Sequence, residues 1–147
     1  MAESWKCFEA FFALREEIDS FMKIKNKEVL QLTDFTFLCN LAFLTDVTDH
    51  LNALNLKLRD RKQVITQKYD SVKSFKVKRT FWEKQLTAGN LVHCSTLNSL
   101  GKVEPECLKE YADIISNLHK QFDVLFKDFK AFEPHFQLFF HTICCGN

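Results

Sequence analysis

Leu44, Leu51, Leu54 and Leu58 recur along "AFLTDVTDHLNALNLKLRDRKQVI" at steps of seven, three and four residues. Such steps bring side chains onto one face of an α-helix, where about 3.6 residues complete a turn. A strand needs alternation at a period of two, and no segment of the chain alternates convincingly. With three glycines and two prolines in 147 residues, few segments suit a hairpin turn. The expected class is all-α, a bundle of long amphipathic helices.

The same periodicity divides the chain. Trp5, Phe8, Phe12, Ile18, Phe21 and Met22 share a face of a helix over about residues 4–25, with Ser4 as its N-cap. "KNKEVLQLT" interrupts the pattern. Thr33 or Asp34 can cap a second helix, which Phe37, Leu41, Leu44, Thr48, Leu51, Leu54 and Leu58 continue. The stripe resumes with Ile65, Tyr69, Val72, Phe75, Arg79, Trp82 and Leu86, and residue type alone leaves open whether "RDRK" (59–62) breaks it. "TAGN" is a stop, with Gly89 suited to the left-handed position after a helix. Residues 91–104 read as a loop with at most a short helix. Pro105 then opens the cleanest stripe, Leu108, Tyr111, Ile115, Leu118, Phe122, Leu125, Phe126 and Phe129, which Pro134 ends. The seam expected from these patterns sets Leu44, Leu51, Leu54 and Leu58 against the Leu108–Phe129 helix, since each long stripe needs a partner.

The length fits one domain, 1–147, able to bury a core. Sixteen phenylalanines imply an aromatic-rich core or a face that packs on another domain; Phe11, Phe132, Phe136, Phe139 and Phe140 are candidates for such a face. No stretch approaches the roughly 20 apolar residues of a membrane-spanning helix, and the N-terminus has acids where a signal peptide wants positive charge. The six cysteines show no disulfide-scaffold spacing, so a reduced, intracellular protein is expected, nuclear or cytoplasmic.

Charge is uneven. From Lys57 to Lys84 ten Lys and Arg face three acids, a local net of +7, while the whole chain carries +1. Lys57, Arg59, Arg61, Lys62, Lys73, Lys76, Lys78 and Arg79, with aromatics interleaved, could meet a phosphate backbone. At about 100° per residue, however, the bases spread over more than half the helix circumference, and their stems can simply cover its apolar face.

Catalytic signals are thin. Glu16, Glu17 and Asp19 in "REEID" lack a partner that would tune a carboxylate, and there is no Gly-rich phosphate loop, GxSxG or HExxH. His135, His141, Cys144 and Cys145 are soft ligands within a short tail, but an adjacent Cys-Cys pair fits zinc knuckle spacing poorly; His93–Cys94 is weaker still. No catalytic, cofactor-binding or metal residue is assigned.

"FFALREEIDSFM", "FLTDVTDHLNALNLKL", "YDSVKSFKVKRTFWEKQLTAGNLVHCSTL" and "YADIISNLHKQFDVLFKDFKAFEPHFQLF" together resemble, in order, proteins derived from hAT-superfamily transposases. These include zinc finger BED domain proteins and those of the general transcription factor II-I repeat domain-containing protein 2 type. The resemblance covers about residues 8–140. It implies the large helical insertion of the transposase and not its RNase H-like core, whose catalytic acids lie outside this stretch, nor the BED finger. No residue matches the family's CxxH or RW motifs, Trp5 falling a few positions late. Where the family commonly has a glycine after "LNLKLQ", this chain has Arg59 and Asp60. The function expected on that basis is a non-catalytic, domesticated helical module for protein–protein interaction, with a protein partner or homo-oligomer. The alternative is weak, sequence-independent DNA binding through 57–84. No cofactor, membrane or small-molecule substrate is expected.

Overall fold

The computed structural model describes residues 6–132 and 134–135. Its helices are α1 (Lys6–Ala13), α2 (Arg15–Ile24), α3 (Phe35–Arg59), α4 (Ile65–Thr87), α5 (Ser95–Ser99), α6 (Pro105–Leu125) and α7 (Lys127–Ala131), with a 3₁₀ turn at Leu30–Leu32. There is no strand among the described residues. The fold is all-α, as the periodicity requires.

Several boundaries follow from local chemistry. The first stripe is two helices, not one. Arg15 Nη1 donates to the Phe12 carbonyl at 2.9 Å, competing with the backbone ladder, and the chain kinks at Leu14. Asp34 is the N-cap of α3, its carboxylate accepting from the Thr36 amide. Asp60 ends α3: it turns extended, and its side chain accepts from the Lys62 amide at 2.9 Å, closing an Asx turn. Gln67 then reaches back to accept from the Val64 amide, so α4 starts anew. The break at "RDRK" is therefore real, and no glycine is needed for it. Gly89 takes φ +74° just beyond α4, where its amide and that of Asn90 return to the Leu86 and Gln85 carbonyls. Pro105 sits in the first turn of α6. That helix stops at Leu125 and does not run on to Pro134, with α7 following a break at Phe126. Ser4 and Trp5 lie outside the described residues.

The leucine seam is rearranged. The most extensive pairing of α6 is with α4, not with α3. Where α3 does meet α6, Phe43 stacks on Tyr111 (ring centroids 4.2 Å apart) and the Tyr111 hydroxyl donates to Asn40. Leu44 is left 41% exposed, while Leu54 is buried and Leu51 packs at the edge of the core. The physical reason lies in the first half of α3, where Cys39, Leu41, Ala42, Phe43, Thr45, Asp46 and Val47 are all buried. α1 and α5 pack on this helix as well, so it is covered on several sides and no single stripe describes it. Trp82 and Leu86 of α4, Cys94, Leu97 of α5, and Leu108, Tyr111 and Ile115 of α6 complete one core.

Candidate functional site

The eight bases singled out by charge do not form one surface. Lys57, Arg59, Arg61 and Lys62 are exposed around the turn between α3 and α4, which the Asx turn at Asp60 shapes. Lys73 and Lys78 are exposed on α4. Lys76 crosses to α6 and pairs with Asp123, which also meets His119 at 3.3 Å. The hydrogen bond from Lys76 holds the Asp123 carboxyl below the usual range.

Arg79 corrects the expectation of a solvent-facing base. It is 1% exposed, and its guanidinium lies 4.4 Å from the Phe122 ring centroid and 5.2 Å from that of Phe75. None of its three side-chain nitrogens has a hydrogen-bond partner among the described residues. Burial lowers its pKa, and Asp123 opposes that shift. Position 79 lies on the buried stripe of α4, so geometry overrides residue type; the rings of Phe75 and Phe122, themselves in contact with centroids 5.4 Å apart, both adjoin the guanidinium and give it a cation–π environment.

His50, which charge counting cannot reveal, holds one of the outward bases. Its Nε2–H donates to the His93 carbonyl at 2.8 Å, since a carbonyl oxygen only accepts. Nδ1 is then a lone pair, and the Lys78 ammonium donates to it at 3.2 Å. The imidazole packs edge-on against Trp82, with centroids 4.7 Å apart.

The groups weighed for chemistry are dispersed. Asp19 pairs with Lys23 and Glu16 with Arg15, both on the outside of α2. Cys94 is fully buried, accepts from the Trp82 indole N–H at 2.9 Å, and burial pushes its pKa up to about 12. It is thus held as a thiol rather than a metal-binding thiolate. Desolvation by burial, followed by Lys78 and His50, lowers the pKa of His93. No group of three or more potential metal ligands occurs among the described residues; His141, Cys144 and Cys145 lie outside them. No helix among the described residues is long and apolar enough to cross a membrane.

Of the phenylalanines proposed for an outer face, Phe11 is partly buried and packs against the core through α1. Phe132 is exposed, and Phe136, Phe139 and Phe140 lie outside the described residues. The conspicuous apolar surface is instead on α2 and the turn after it: Phe21 is 57% exposed, Ile24 78% and Leu30 73%. Glu16, Glu17 and Ser20 border the first two.

Three long helices packed around a buried aromatic stack, with shorter helices laid on the central one, define an all-helical domain. Comparison with known proteins then identifies which. Residues 3–87 match the FAM200/GTF2IRD2 helical domain, and the chain belongs to this transposase-derived family. It is 40% identical over 129 residues to the general transcription factor II-I repeat domain-containing protein 2 of Bos taurus, and equally to that of Mus musculus. Those alignments cover 88% of this chain and 14% of each relative, so the chain spans a small part of their length. No solved structure matches it.

Proposed function

We propose that this chain is a non-catalytic helical module of hAT-transposase origin whose work is protein–protein interaction, with another domain or with a second copy. The observation that carries the reading is the apolar pair Phe21 and Ile24, held in the open beside Glu16 and Glu17. Large apolar side chains grouped on a surface mark a contact site more often than chance exposure does. An intracellular, reducing location, nuclear or cytoplasmic, suits the free thiols at Cys7, Cys39, Cys94 and Cys107.

Sedimentation at micromolar concentration, with an environment-sensitive apolar dye, tests the module reading. Self-association or dye binding that Phe21→Ser with Ile24→Ser reduces is the expected result. A monomer that binds no dye overturns it.

A second reading is supported by the exposure of Lys57, Arg59, Arg61, Lys62, Lys73 and Lys78: weak, sequence-independent binding of duplex DNA. Its affinity should fall steeply with salt, because neutralised phosphates release counterions. Titration at two ionic strengths, with Lys57, Arg59, Arg61 and Lys62 changed together to Gln, decides it. Binding that ignores either change rules the basic turn out as the contact.

A further inference from the structure

Between α3 and α4 lies a cleft of about 120 Å³ whose polar lining is His50, Lys57, Ser71, Ser74 and Lys78. Leu54 and Phe75, both buried in the fold, give it an apolar base. No carboxylate among the described residues lines it. Elsewhere the lysines near acids are neutralised, Lys23 by Asp19 and Lys76 by Asp123. No described carboxylate stands within ion-pair distance of Lys57 or Lys78. Two lysines therefore line one recess that no described carboxylate lines.

Lys78 is also positioned. His50, fixed by its bond to the His93 carbonyl, presents a neutral lone pair to the Lys78 ammonium. A neutral acceptor orients the cation without cancelling its charge, which a carboxylate would do.

We propose that this cleft is a binding site for a phosphate dianion, either inorganic phosphate or a phosphate monoester. Ammonium groups are compact point charges with rotatable donors, suited to a tetrahedral oxyanion; a planar carboxylate is better served by the guanidinium fork, which is absent from the lining. Two lysines match two negative charges, whereas each phosphodiester of a nucleic-acid backbone carries one. The volume is of the order of the roughly 150 Å³ cavity that admits a benzene ring, enough for a phosphate group and too small for a nucleotide. The inference is independent of the interaction surface on α2, which lies on other elements.

Trp82 reports on the site, because the His50 ring packs against it. In a Trp5→Phe background it is the sole indole. Its fluorescence is followed while sodium phosphate, phosphoserine, dimethyl phosphate or duplex DNA is added at constant ionic strength. Phosphate and phosphoserine should each give one saturable transition. Lys57→Gln and Lys78→Gln should each weaken binding about tenfold or more, the effect of losing one charge-assisted contact. Lys109→Gln, on α6 and outside the cleft, should leave it unchanged. Phosphate binding without phosphoserine binding assigns the cleft to the free ion, and binding of both to a monoester. A response that chloride reproduces, that dimethyl phosphate matches in affinity, or that survives both cleft substitutions overturns the proposal. So does duplex DNA that displaces phosphate, because the cleft would then take a diester backbone.

Discussion

The carboxylate of Asp46, buried in α3, accepts the amide of Leu97 at 2.9 Å with one oxygen and that of Thr96 at 3.0 Å with the other. It thereby supplies to α5 the N-terminal cap that Cys94 cannot.

Replacing Asp46 by Ala should therefore strand two amides, one of them buried, and cost about 2–3 kcal/mol. Asp46→Asn keeps one acceptor oxygen and should cost less. Urea denaturation of the three proteins checks the ranking. Equal midpoints for all three would mean that Asp46 does not hold α5.

Arg79 makes an opposite prediction. Its stem and plane pack beside the adjoining rings of Phe75 and Phe122, but its charge is desolvated with no hydrogen-bond acceptor among the described residues. Arg79→Met keeps the volume and removes the charge, and should stabilise the fold by about 1–3 kcal/mol. Arg79→Ala loses the packing too and should destabilise it. Thermal unfolding separates the cases. A Met variant less stable than the parent would mean that the cation–π contacts outweigh desolvation.

Much of this arrangement can be read in the sequence, and some cannot, for identifiable reasons. Leu108, Tyr111 and Ile115 mark α6 because one side of that helix is covered and the other wet. Asp34, Gly89 and Pro105 mark helix ends because each satisfies a local backbone need that no tertiary contact alters. Thr45 and Asp46 mislead, since a polar residue inside a helix suggests solvent until its partner elsewhere in the chain is known. Arg79 pulls two ways: the periodic stripe of α4 runs through it, while its charge alone suggests a solvent-facing base. The pairing of His50 with Lys78 depends on how α3 and α4 lie together, which periodicity does not encode.

Asp123 should make a small pH-dependent contribution. Its carboxyl is held below its ordinary value, about 3.9 when unfolded, so the unfolded chain takes up the proton first as pH falls. The stabilisation is present above that value and is lost as pH drops through the lower folded one. Because Asp123 is about half exposed, it amounts to at most about 1 kcal/mol. Urea midpoints of the parent and Asp123→Asn should differ at pH 5 and converge as pH falls through the lowered folded value. A gap that does not narrow would remove the Lys76 pair as its source.

Cys94 and Cys7 should differ in reactivity. Cys7 is exposed, whereas Cys94 is enclosed with its pKa near 12, so at pH 8 the thiolate fraction of Cys94 is below that of an ordinary thiol by about three decades. Timed alkylation with iodoacetamide, read by peptide mass, should label Cys7 well before Cys94. Equal rates would show that the loop carrying Cys94 opens readily.

The stack of Phe43 on Tyr111 has a bearing on where such a domain can be cut. The stretch by which the family is recognised, residues 3–87, contains Phe43, Trp82 and Leu86 but none of α6. Ending a recombinant product there would strip away Tyr111 and Ile115 and leave the faces of α3 and α4 that they cover open to water. A recombinant product that keeps this core has therefore to run on through α6, past the signature by which the family is recognised.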